Sequence, residues 1–118
     1  MTEASLSTHV LDTSLGTPGK NLQLFLEQCV DDSDVENLKF KELARSTTNN
    51  DGRVAQGTLP KVAPGVYRMT FLTKEYYDKL NKKCFYPLVR VVFEVTAGEH
   101  YHVPLLISPF GYSTYRGS

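Results

Sequence analysis

Asn21 to Val30 alternates apolar and polar side chains with a period of two, a pattern that a strand can bury on one face and a helix cannot. Leu22, Leu24, Leu26 and Val30 fall on one side, Gln23, Glu27 and Cys29 on the other. Phe25 interrupts the polar side, as happens where a second surface is covered. The same period runs more loosely through Ser5 to Asp12, with Leu6, Thr8 and Val10 opposite Ser7, His9 and Leu11. His9 therefore points away from Val10. It returns in Val66 to Thr73, where Tyr67, Met69 and Phe71 share a face, and in Leu88 to Thr96, where Val89, Val91, Phe93 and Val95 do. Weaker strands are expected at Leu38 to Thr47, Arg53 to Gln56, His100 to Ser108 and Tyr112 to Ser118. Gly, Pro, Asn and Asp punctuate the intervals, and the Asn and Asp of Ser46 to Gly52 are suited to positive φ. Thr73 to Lys83 is the one helix predicted, with Thr73 as N-cap, Glu75 in the first turn, Lys79, Lys82 and Lys83 at the end, and Tyr76, Tyr77 and Leu80 on its apolar side. About eight short strands with regular turns and one short helix predict an all-β, antiparallel β-sandwich.

A chain of 118 residues is expected to be a single domain, 1–118, with a core large enough to need neither disulfide nor metal. Lys plus Arg and Asp plus Glu number 13 each and are scattered, so no net field draws the protein to nucleic acid or membrane. No apolar run approaches the roughly 18 residues of a membrane span, and the start lacks a secretory leader. Arg116-Gly117-Ser118 is not the Ser-Lys-Leu peroxisomal address. These features lead to an expectation of cytoplasmic residence, with peroxisomal import by another route left open. Cys29 and Cys84 fit no zinc or redox spacing and are expected to be reduced, partly buried thiols.

Three histidines are the first candidates for chemistry, and two of them, His100 and His102, share a strand face about 7 Å apart near the end of the chain. With His9 they have the composition of a three-histidine zinc site. The alternative is hydrogen-bonded imidazoles at a surface or interface. Arg53, delivered by Asn-Asp-Gly, is either a solvated turn residue or a guanidinium placed to hold a planar or anionic ligand. Tyr115, Arg116 and Ser118 read as part of a closing strand, and no G-x-S-x-G marks a nucleophile elbow. The first and last strands alternate weakly, as strands do when both faces are covered, which suggests a partner subunit.

Four motifs carry a resemblance: Leu6-Ser7-Thr8-His9-Val10-Leu11-Asp12 with Gly16 and Pro18, then Asp51-Gly52-Arg53, then His102-Val103-Pro104-Leu105-Leu106 with Ser108-Pro109, then Tyr115-Arg116-Gly117-Ser118. Together they are similar to the 5-hydroxyisourate hydrolase family, the transthyretin-related proteins. The resemblance implies a transthyretin-like sandwich of two four-stranded sheets. It also implies a homotetramer, a dimer of dimers with active sites in the channel between dimers, and no metal or organic cofactor. The implied reaction is hydrolysis of 5-hydroxyisourate to 2-oxo-4-hydroxy-4-carboxy-5-ureidoimidazoline in urate degradation. The family's catalytic positions fall on His9, Arg53, His102 and Ser118. His9, Arg53 and Tyr115 would bind substrate, and His100, Arg116 and Gly117 would support the site. The competing class is a transthyretin-like hormone carrier without catalysis. A carrier of an apolar hormone calls for an aliphatic channel, whereas these motifs bring titratable groups.

Overall fold

The computed structural model describes residues 3–118. Its strands are β1 (Ser5–Asp12), β2 (Thr17–Pro18), β3 (Gln23–Asp31), β4 (Lys39–Thr47), β5 (Gly65–Phe71), β6 (Val89–Val95), β7 (His100–Ser108) and β8 (Gly111–Thr114), with a short helix α1 (Thr73–Lys79) between β5 and β6. They form two four-stranded sheets, β2-β1-β7-β8 and β4-β3-β5-β6, the sandwich that the alternation predicts. The core lies where their inner faces meet. The first sheet contributes Leu6, Val10, Tyr101, Val103, Leu105 and Ile107; the second contributes Leu24, Leu26, Tyr67, Met69, Phe71, Val89 and Val95, all buried. Burial alternates along β1 and β6 as the period of two predicts. On β5 Tyr67, Met69 and Phe71 are buried as expected, but Thr70 on the opposite face is buried too, where its hydroxyl donates to Glu27.

The pairing is not antiparallel throughout. β1 and β7 run parallel, in register from Ser5↔His100 to Asp12↔Ile107, because the chain crosses the whole of the second sheet before it returns. Val30 is exposed rather than inward. It is the extra residue of a bulge between Cys29↔Phe40 and Asp31↔Lys39, beyond the point where β5 ceases to pair with β3.

Arg53 to Gln56 forms no strand. Arg53 makes a single antiparallel bridge to His9, and the eighth strand is instead Thr17–Pro18, at a sheet edge where proline costs no ladder bond. The helix ends at Lys79, soon followed by Asn81 in the left-handed region (φ 56). Thr73 does not cap it, since its hydroxyl donates to the Tyr86 carbonyl (2.8 Å). Tyr76 and Tyr77 are buried beneath it, but Leu80 is 40% exposed. β8 stops at Thr114, short of the expected Ser118. A further step of the ladder would set Tyr115 opposite Pro104, which has no N–H, and the Pro104 carbonyl takes the Thr114 hydroxyl (2.7 Å) instead. The chain rejoins the sheet at Gly117, whose N–H donates to the His102 carbonyl (2.9 Å).

Two buried carboxylates brace this frame. Asp12 accepts from the Ser14 N–H (3.0 Å) and hydroxyl (2.6 Å), the Leu15 N–H (3.3 Å) and the Tyr76 hydroxyl (2.8 Å), which ties the end of β1 to α1. Glu27 receives a two-pronged Arg68 pair (2.8 and 2.6 Å) and the Thr70 hydroxyl (2.6 Å), and the Arg68 guanidinium lies over the Phe40 ring. The buried carboxylate of the second sheet is thus matched by an arginine.

Gly52 sets the junction between the turn and β1. Its carbonyl accepts from Val10 N–H (2.8 Å), its φ is +73, and a Cβ there would run into the Val10 carbonyl oxygen. Gly52→Ala is therefore expected to lower the urea midpoint by the equivalent of about 1–3 kcal/mol without changing the slope.

Candidate active site

The outward face of the first sheet assembles the chemistry. Because β1 alternates, Ser5, Ser7 and His9 turn away from the core, and because β7 alternates, so do His100 and His102. The parallel register sets Ser5 opposite His100 and Ser7 opposite His102. Ser7 Oγ lies 2.7 Å from His102 Nδ1 and 2.8 Å from His100 Nε2, and Ser5 Oγ lies 2.7 Å from His100 Nδ1.

Arg53 reaches this face from a turn knitted by one side chain. Asn49 Oδ1 accepts from the N–H groups of Asp51 (2.9 Å) and Arg53 (3.1 Å), and the Asn49 N–H donates to the Arg53 carbonyl (2.7 Å). Gly52, not Asn or Asp, takes the positive φ. The bridge to His9 then fixes Arg53 beside β1. Among the described residues Arg53 forms no ion pair, unlike Arg45, Arg68 and Arg116. Its charge stays available to the face.

The terminal motif closes the other side. Gly117 bridges His102, and a Cβ on Gly117 would overlap the imidazole, so glycine is what lets the ring sit against the chain. Arg116 pairs with Glu99 (2.5 Å) and lies over the Tyr101 ring, which anchors the residue before that contact. Tyr115 is exposed and lines a cleft of about 360 Å³ with His102, Thr114 and Arg116. Ser118 follows as an exposed residue.

Electrostatics set the state of His102. Burial disfavours its imidazolium most, then the Arg53 charge, then His100 and His9; a hydrogen bond to Ser7 opposes them, and the net effect holds its pKa below the ordinary 6.5. His102 is thus a neutral imidazole at pH 7, with Nδ1 engaged by Ser7 and Nε2 on the other side of the ring. A neutral ring with a free nitrogen, an unpaired guanidinium and a second histidine on one open face can hold a planar polar ligand and move its protons.

The structure brings His9, Arg53, His100, His102 and Gly117 together, places Tyr115 in the adjoining cleft, and gives Arg116 an anchoring contact. His100 and His102 are joined through Ser7, and among the described residues no three His, Cys, Asp or Glu are grouped to hold a metal ion. The serines were missed. Their signal was the S-x-S-x-H of β1 beside the H-x-H of β7, which becomes meaningful only once the two strands are known to pair.

The model of the HIUase/Transthyretin family matches residues 6–117. The chain is similar to the mouse (Mus musculus) 5-hydroxyisourate hydrolase, 42% identical over 120 residues that span 99% of this chain and 98% of the relative. Among solved structures it is similar to Klebsiella pneumoniae 5-hydroxyisourate hydrolase, with a TM-score of 0.80, 31% identity, and 98% and 94% of the two chains covered. It is also similar to sea bream transthyretin in complex with thyroxine, with a TM-score of 0.86, 28% identity, and 97% and 95% covered.

If burial and Arg53 together depress the His102 pKa, Arg53→Ala should raise it toward 6.5 without restoring it fully. An NMR titration of the imidazole resonances measures this. An unchanged midpoint in the variant would mean that the guanidinium does not act on the ring.

Proposed function

The chain belongs to the HIUase/transthyretin family, and on that premise we propose that it is a hydrolase that opens 5-hydroxyisourate to 2-oxo-4-hydroxy-4-carboxy-5-ureidoimidazoline. The observation that carries this reading is the convergence of His9, Arg53 and His102 on one open sheet face, with the guanidinium in no ion pair among the described residues. Opening the ring at a carbonyl requires an activated water, a stabilised oxyanion and a proton for the leaving nitrogen.

His9 and His102 orient and deprotonate the water. His102 suits that task because the neutral form prevails at pH 7, and general-base action of this kind contributes ~10²–10⁴-fold. Arg53 holds the planar substrate by its oxygens and stabilises the developing negative charge, worth about 2.7–4 kcal/mol for one oxyanion donor. Tyr115 and Ser118 close the pocket, and the Arg116–Glu99 pair holds the segment that leads to Gly117 and Ser118.

The functional assembly is a homotetramer, a dimer of dimers, in which this face lines a channel shared with a partner. Half-buried Leu11 and Leu106 lie on the same outward face as the polar patch, and β6 and β8 are sheet edges with unsatisfied backbone groups. Sedimentation at the mass of four chains tests it.

The likeness to sea bream transthyretin in complex with thyroxine raises carriage of an apolar ligand as a second reading. The polar lining argues against it, since the Arg53 guanidinium and His102 Nε2, which the row Ser5, His100, Ser7 and His102 leaves without a partner, would lose water to such a ligand and gain nothing in return.

Freshly oxidised urate followed by the loss of 5-hydroxyisourate absorbance tests the activity. Acceleration over spontaneous decay is expected, and its absence would rule the hydrolase out. His9→Ala and His102→Ala should each lower kcat/KM by ~10²–10⁴-fold, and Arg53→Ala by ~10²–10³-fold, in folded protein. A base active when neutral, with a folded pKa below 6.5, loses activity only as pH falls through that lower value. The acid limb of kcat/KM should therefore have its midpoint under pH 6.5.

A further inference from the structure

Ser5, His100, Ser7 and His102 form an unbroken row of hydrogen bonds: Ser5 Oγ to His100 Nδ1 (2.7 Å), His100 Nε2 to Ser7 Oγ (2.8 Å), Ser7 Oγ to His102 Nδ1 (2.7 Å). Hydroxyl and imidazole alternate, and His100 is engaged at both nitrogens. The roles assigned above use only the last ring of the row.

A serine hydroxyl carries one proton, and a neutral imidazole carries one N–H. With Ser7 in contact with both rings, the fully paired arrangement has it donate to one and accept from the other. When Ser7 donates to His100, it accepts from His102 Nδ1–H, and His102 Nε2 is a bare lone pair. When Ser7 donates to His102, the His102 proton sits on Nε2, and His100 Nε2–H donates to Ser7. In the first state His100 carries its proton on Nδ1 and donates to Ser5; in the second it accepts from the Ser5 hydroxyl. The two tautomers are locked together through one oxygen.

We propose that Ser5, His100, Ser7 and His102 constitute a proton relay that resets His102 during turnover, with Ser7 and His100 as positioning residues acting through it. The proposal rests on the hydrolase reading. As the water oxygen bonds to the substrate carbonyl carbon, His102 Nε2 takes one water proton. His102 Nδ1 releases its proton to Ser7, Ser7 passes one to His100 Nε2, and His100 Nδ1 passes one to Ser5 and solvent. As the C–N bond breaks, His102 Nε2–H protonates the leaving nitrogen and the row runs in reverse. Inward and outward transfers cancel, and the one net proton of the reaction leaves when the new carboxyl group ionises.

The outer end of the row is suited to exchange with solvent. His100 is exposed, and with Ser5 and Ser7 it lines the mouth of a cleft of about 530 Å³. The inner end needs such an outlet. Arg53 from the turn before β5, His9 from β1 and His100 from β7 all disfavour charge on the partly buried His102, and Arg116 beside Gly117 is held by Glu99. An imidazolium trapped there would be costly, whereas a ring that hands on one proton as it accepts another stays neutral.

The test compares Ser7→Ala, His100→Gln and Ser7→Thr in the full chain, by kcat and KM on 5-hydroxyisourate across pH and by long-range ¹⁵N–¹H spectra of the imidazoles. Ser7→Ala and His100→Gln should each lower kcat by ~10-fold, a part of the ~10²–10⁴-fold of general-base action, with KM within about twofold. The His102 tautomer balance should shift in both. Ser7→Thr retains the hydroxyl and suits a strand, so it should restore both readouts. Wild-type kcat in Ser7→Ala and His100→Gln overturns the relay. A fall in kcat with an unmoved His102 tautomer overturns it too, by reducing these side chains to packing. If the wild-type chain itself fails to accelerate 5-hydroxyisourate decay, the hydrolase reading falls and the relay's service to it falls with it; a Ser7-dependent His102 tautomer would then show that the coupled row persists in the absence of that activity.

Discussion

The parallel, in-register pairing of β1 with β7 is the constraint on which the site depends. Eight residue pairs, Ser5↔His100 to Asp12↔Ile107, lie side by side although about 95 positions separate them in the chain. A slip of one residue would turn every side chain of the moved strand to the other face. The inner faces forbid it: Leu6 and Val10 on β1 and Tyr101, Val103, Leu105 and Ile107 on β7 are all buried. Each such side chain contributes about 1.5–3 kcal/mol by its burial, against roughly 0.5–1.5 kcal/mol for a hydrogen bond on the outer face. The core therefore sets the register, and the row of hydroxyls and imidazoles follows from it.

Two glycines let the remaining parts approach that row. Gly52 brings the Asn49–Arg53 turn against the Val10 carbonyl, and Gly117 brings the chain end against the His102 ring. A side chain at Gly52 would meet the Val10 backbone, and one at Gly117 would meet the imidazole itself. Asp12 adds a brace from within. It is fully buried, and it accepts the Tyr76 hydroxyl across the gap between β1 and α1. Burial first, and then that bond, push the Tyr76 phenol well above its usual pKa, so the phenol remains a donor throughout the neutral range.

Arg68 on the second sheet and Arg53 beside the first have their charge met in opposite ways. On the second sheet Arg68 is matched by Glu27; burial pushes that carboxyl up, but the Arg68 and Thr70 hydrogen bonds and the Arg68 and Arg90 charges bring it below the ordinary value. On the first sheet Arg53 and three histidines gather and Arg53 forms no ion pair among the described residues. A paired arginine there would be inert toward a ligand. An unpaired one adds to burial in disfavouring charge on His102 and leaves a site for negative charge developing on a bound molecule.

Much of the sandwich was legible in the chain because burial on one side of a strand imposes a period of two. Leu22, Leu24 and Leu26, or Val89 to Val95, announce their faces locally. His9, His102 and Arg53 stood out as residue types set in recognisable motifs. Bulges, caps and ladder ends were not legible, since they depend on the neighbouring strand: Val30 is expelled by the pairing of β3 with β4, Thr73 is drawn off by Tyr86, and β8 halts at Pro104. Ser5 and Ser7, and the contacts they make with His100 and His102, belong to the same class. Alternation along β1 and β7 determined which side chains face outward. Only tertiary structure decided that the serines of one strand lie within hydrogen-bonding distance of the histidines of the other, because strand partner and direction are chosen by the packing of the whole core rather than by any local run of residues.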